Sequence, residues 1–174
     1  MAGPSSLLVF GLRVGPGSDL LQSLQDFVVQ TCLKAPFVLT CVGSLTSARL
    51  RLANATATDT NQVLELSGRY EIVSLVGTLN PEAHLHLCLS DSRGDTIGGH
   101  VLGDLRVFTT AEVLIGEAQE LQFTREMDPQ TGFPELVVQE RSVEGDRDQT
   151  RDRDQTRDRD QTRDRDQTRD RDQL

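Results

Sequence analysis

The sequence predicts an α+β domain, mainly an antiparallel sheet with one or two helices, followed by a tail that does not fold. Three observations carry this expectation. Short apolar or alternating runs bounded by Gly, Pro, Asn and Ser recur from residue 6 to residue 139, the pattern of a sheet-rich domain. One stretch, 18–35, has helical periodicity instead. From Asp146 the hexapeptide DRDQTR repeats to the end with no apolar residue before Leu174, so this segment has nothing to bury. The division expected is a domain at 1–142 and a low-complexity, disordered tail at 143–174.

Residues 6–14, SLLVFGLRV, are apolar and β-branched and read as the first strand. Gly15-Pro16-Gly17 is a turn, with Ser18 as the expected N-cap and Asp19 as a favourable first-turn acid. Leu20, Leu21, Leu24, Phe27, Val28 and Cys32 follow at helical spacing, and the helix should end before Pro36. Residues 37–54 read as two strand-like runs parted at Gly43-Ser44, and 63–79 as two more around Ser67-Gly68, with a polar loop between. Asn80-Pro81 marks a turn. AHLHLCLS at 83–90 alternates strictly, SRGD turns, and TIGGHVLG at 96–103 returns. Residues 106–118 read as strand, with Thr110 to Ile115 also compatible with a short helical turn. LQFTREMD and ELVVQE flank Asp128–Gly132 as a last hairpin.

The net charge is −9, and the run from Asp146 to Leu174, with nine Arg against ten Asp, contributes only −1 of it. An acidic body argues against a phosphate-backbone binder, so direct DNA binding is not expected. In the tail Arg153 and Arg157, or Asp154 and Asp158, are like charges four apart that oppose a helix, and each Arg has an Asp beside it. A solvated spacer is the expectation. Cys32, Cys41 and Cys88 are odd in number and widely spaced, which is no disulfide framework. The opening MAGPSSLLVFGL lacks a basic region and a long apolar run, and no stretch has the ~20 apolar residues of a membrane span. The expected location is intracellular, cytoplasmic or nuclear and not secreted, with no membrane partner. The sequon Asn54-Ala55-Thr56 then goes unused.

All three histidines lie between residues 84 and 100. On the alternating strand His84, His86 and Cys88 share one face, with the two rings ~6.5 to 7 Å apart along it. If the turn centres on Arg93, His100 stands directly opposite His86, with Cβ atoms ~5 Å apart on the same face. Gly98 and Gly99 leave room for a bulge that would aim the third ring. Three histidines with one open position suit zinc. Cys88 could add a fourth ligand, although a structural thiol is the simpler reading.

GRYEIVSLVGTL at 68–79, HLHLCLSDSRGDTIGGHVL at 84–102 and VFTTAEVLIGE at 107–117 resemble the PPC domain (plants and prokaryotes conserved). Upstream, 12–28 and 37–53 keep the order and spacing of that family, and 123–138 resembles its closing hairpin. The resemblance implies a fold similar to acetolactate decarboxylase-type folds, a homotrimer, partner binding, and a metal held by His84, His86 and His100. Plant members are nuclear proteins carrying AT-hooks. The core R-G-R-P of that motif is missing here, so their DNA binding does not carry over.

Two functions of different class follow. One is a stand-alone, trimeric, zinc-binding interaction or scaffold module. The other is a three-His metal-dependent hydrolase or lyase acting on a small carbonyl or ester substrate, for which Glu71, Glu112, Glu117, Arg69 and Arg106 are the acid, base and cation candidates. A nuclear DNA-associated role is the remaining alternative. The GPGS turn could hold a phosphate at the helix start, but a plain capped turn also explains it. What surrounds the histidines decides between the first two: a closed set with a fourth ligand, or an open one facing a cleft with Glu and Arg.

Overall fold

The structure, a computed structural model, describes residues 2–53 and 62–141. The sequon and the repeat tail lie outside the described residues. The chain order is β1 (Leu7–Val14), α1 (Leu20–Thr31), β2 (Pro36–Arg51), β3 (Val63–Thr78), β4 (His84–Ser90), β5 (Thr96–Gly103), β6 (Val107–Ala118), β7 (Leu121–Met127) and β8 (Pro134–Glu140). The first six strands form an antiparallel sheet in the order β1-β6-β2-β3-β4-β5, and β7 and β8 form a separate two-stranded sheet. The fold is α+β, as expected, with one helix among the described residues.

The sheet also closes on itself. The end of β2 pairs with β5, placing Arg51 opposite His100 and Leu50 opposite Val101. Bulges between Leu45 and Ser47 and between Ile72 and Ser74 supply the bending this requires. Alternate residues then point into one core. Leu45, Leu75, Leu85, Leu87, Leu89 and Ile115 fill it, and Leu20, Leu24 and Val28 of α1 cover it. No helix among the described residues is long and apolar enough to cross a membrane.

Two expected breaks are not breaks. β2 runs through Gly43 and β3 through Gly68, each as one strand of 16 residues. Gly43 is where β6 crosses closely: a Cβ there would lie 2.1 Å from the Thr110 carbonyl oxygen, and φ is +142°. Residues 110–115 are strand throughout. The helix begins one residue later than expected. Asp19, not Ser18, is the N-cap, and its carboxylate accepts from the Gln22 N–H at 3.0 Å. Cys32 is the left-handed C-cap and lies outside the helical face it was expected to join.

Glu117 is 3 % exposed, and its carboxylate accepts from the Lys34 N–H at 2.9 Å and the Ala35 N–H at 3.1 Å. It fixes the passage from α1 into β2. Glu117→Ala would leave these backbone donors without an acceptor, at an expected cost of about 2–4 kcal/mol. Urea unfolding of the variant measures this, and a loss under ~0.5 kcal/mol would show that water replaces the carboxylate.

Candidate metal centre

Strand alternation puts Leu85, Leu87 and Leu89 into the core and turns His84, His86 and Cys88 outward. The hairpin register is unbroken, and His86 stands opposite His100. The expected bulge at Gly98 and Gly99 is therefore not formed. These glycines serve close approach instead. A Cβ on Gly98 would lie 2.5 Å from the Leu87 carbonyl oxygen, and one on Gly99 would lie 2.7 Å from that of Arg51. β5 is thus pressed against β4 on one side and β2 on the other, which brings His100 to both His86 and Arg51.

The three rings form a triangle. Centroids are 5.3 Å apart for His84 and His86, 5.0 Å for His84 and His100, and 5.7 Å for His86 and His100. One nitrogen from each can be chosen so that all lie within 4.8 Å of one another. Nitrogens bound ~2.1 Å from a tetrahedral zinc stand ~3.4 Å apart, so ring rotations of about an ångström would bring them to that spacing. The His100 Nδ1 atom is buried and has no hydrogen-bond partner, as a ligand atom would without its ion. Cys88 does not belong to the converging set.

Electrostatics favour the neutral form of His84 and His100. Burial, then Arg51, the two neighbouring imidazoles and Arg125, push His100 down to about 4. Burial, Arg125 and His86 also lower His84, against an opposing effect of Glu135. Neutral imidazoles offer the lone pairs that metal binding needs, without first releasing protons.

The triangle opens on a cleft of ≈ 290 Å³, where Arg51, Arg125, Glu82, Glu135 and Phe133 line the wall beside His84 and His100. Sequence reasoning missed these residues. The β7–β8 hairpin brings in Arg125, Phe133 and Glu135 and the closing β2–β5 contact brings in Arg51, all from far along the chain, while Glu82 sits in the turn just before His84 without any mark of its role. None of the acid, base and cation candidates named from sequence lines this cleft. Glu117 is structural, Arg69 stacks on Phe108 at 4.5 Å, Arg106 donates to the Gly17 carbonyl at 3.0 Å, Glu112 pairs in register with Arg13, and Glu71 lies between Ser44 and Ser90. At the helix start the Asp19 carboxylate already takes the free N–H, so that end is a capped turn.

Comparison with known proteins agrees with the fold. The family described as the Plants and Prokaryotes Conserved (PCC) domain matches residues 1–119. The Bifunctional protein GlmU of Synechococcus sp. (strain JA-2-3B'a(2-13)) is 44% identical over 137 residues, which are 78% of this chain and 21% of that protein. The chain thus spans about a fifth of the length of these curated relatives, 21% in two Synechococcus strains. A hypothetical protein of Salmonella cholerae-suis is 36% identical with a TM-score of 0.75, covering 80% of this chain and 99% of that one. A metal-containing protein of Archaeoglobus fulgidus shares the fold at a TM-score of 0.68 and 24% identity, covering 79% of this chain and 99% of that one. The family match stops before β7, so the hairpin that supplies Arg125, Phe133 and Glu135 to the cleft lies beyond it.

Proposed function

The chain belongs to the Plants and Prokaryotes Conserved domain family, and we propose that it is a homotrimeric module that binds one divalent metal, zinc by preference, through His84, His86 and His100. The observation that carries this is the three-nitrogen triangle with its buried, unpartnered His100 Nδ1. Nitrogen donors with no carboxylate among them suit zinc better than magnesium or calcium. The Archaeoglobus protein of the same fold is itself described as metal-containing. Self-association is supported by the outer sheet face. Val42, Val73, Val76 and Leu114 are 44 to 56% exposed although they lie on interior strands. Further copies would cover such an apolar face.

A second reading is favoured by the cleft. A three-His site without a fourth protein ligand leaves a position for water or a substrate oxygen, where a metal would act as a Lewis acid. With Arg and Glu side chains alongside, the arrangement is that of a hydrolase or lyase acting on a small carbonyl compound.

The test is metal content by mass spectrometry on untagged protein, beside a His84→Ala/His86→Ala variant, with molar mass from light scattering. The expected result is one zinc per chain in the wild type, none in the variant, and a trimer mass. Wild-type protein without metal after refolding with zinc would end the metal reading, and a monomeric mass would end the trimer.

A further inference from the structure

We propose that the cleft beside the histidines takes a small monocarboxylate, with its carboxyl group held between Arg51 and Arg125. Among the described residues neither arginine has an acidic partner: the ion pairs are Arg49 with Glu65, and Arg93 with Asp91 and Asp95. Arg125 is fixed in place. It donates from Nη2 to the Thr78 hydroxyl at 3.0 Å, from Nη1 to the Pro134 carbonyl at 3.1 Å and from Nε to the Glu82 carbonyl at 3.4 Å. A guanidinium has five N–H donors, so two stay available on a side chain already ordered. Arg51 stacks on the Phe133 ring at 5.3 Å, which orients its fork without using a donor. Two ordered guanidinium groups on one small cleft suit planar, bidentate recognition of a carboxylate.

The rest of the wall narrows the class. Glu82 and Glu135 line the same cleft, so its side chains outside the histidines sum to no net charge. They would oppose a dianion such as phosphate more than a monoanion. Phe133, Ala83 and Pro134 give an apolar surface for a short carbon body, and ≈ 290 Å³ admits only a small molecule. With its carboxyl group on the arginines, the ligand's 2-oxygen would face His84 and His100. The inference rests on the metal reading only for that second contact.

The experiment is calorimetric titration of the full chain with pyruvate, lactate and inorganic phosphate, each in zinc-loaded and chelator-treated protein. Zinc binding is measured separately against a chromogenic chelator. The acids should bind the wild type, and more weakly, by roughly tenfold or more, in Arg51→Gln and Arg125→Gln, the loss expected when one charge-assisted contact goes. Arg125→Gln removes bonds that hold the hairpin. Arg51→Gln, which breaks no side-chain hydrogen bond among the described residues, therefore serves as the second variant, with unchanged zinc stoichiometry as its check. Zinc binding with no response to either acid would overturn the proposal and leave the metal site standing. Arginine-dependent binding of the acids to a protein that takes no zinc would uphold the carboxylate site and end the metal reading. Phosphate binding more tightly than both acids would overturn the assignment to a carboxylate.

Discussion

Gly77→Ala is expected to cost about 3–5 kcal/mol and to abolish the histidine triangle, although residue 77 carries no side chain that could be a ligand. Gly77 lies on β3 opposite Leu85, beside the pair Thr78 and His84. A Cβ there would sit 1.9 Å from the His84 carbonyl oxygen and 3.0 Å from the Leu85 Cα. Both neighbours are backbone, so no side chain can swing away. β4 must move from β3 at the residue that carries the first histidine. The φ of +137° adds strain for any L side chain. Gly103 gives the matched control. Its φ is +140°, yet nothing lies within 4 Å of a Cβ built on it. Gly103→Ala should show the strain alone, ~1–2 kcal/mol, and keep one zinc per chain. Chemical denaturation and metal content of the two variants decide the matter. Equal losses would mean that strain, not the crossing of β3 and β4, requires the glycine.

The same glycines show what was legible in the sequence. A glycine can mark a turn or a place where two backbones nearly touch, and a single sequence does not separate these meanings. Gly43 and Gly68 read as turns but lie inside continuous strands. The histidine triangle was legible because it needs only local rules: period-two alternation on β4 and a symmetric turn about Arg93, which together place His86 against His100. The cleft obeys no local rule. Arg51 reaches it because the sheet closes between β2 and β5, and Arg125 and Glu135 because a separate hairpin approaches the ends of β3 and β4. Charged residues on exposed strands carry no mark of what they will face. The sequence therefore offered Glu71, Glu112, Arg69 and Arg106, which lie elsewhere, and Glu117, whose buried carboxylate serves the backbone. The helix cap was displaced by one residue because Ser18 and Asp19 are both good caps.

Zinc at a thousand times its dissociation constant should stabilise the wild type by ~4 kcal/mol at pH 7.5 and leave His84→Ala/His86→Ala unaffected. The pH dependence follows from the lowered histidines. The folded-state value of His100 is about 4, below the ordinary 6.5, so the unfolded chain takes up a proton first as the pH falls. This contribution to stability is complete above pH ~6.5, declines between ~6.5 and ~4, and changes no further below that. His84 acts in the same direction. Partial exposure of the His100 ring to screening water reduces the effect to on the order of 1–2 kcal/mol for the metal-free protein. Zinc and protons compete for the same nitrogens, and in the folded site His84 and His100 resist the proton. At pH 6 an ordinary imidazole is mostly protonated, whereas here His100 is still neutral and able to ligate. The zinc increment, followed by thermal unfolding from pH 7.5 to pH 5, should therefore persist at pH 6. If it instead fades with a midpoint at pH ~6.5, His84 and His100 titrate as free imidazoles. Burial and the charges of Arg51 and Arg125 would then not be what holds the site ready for metal.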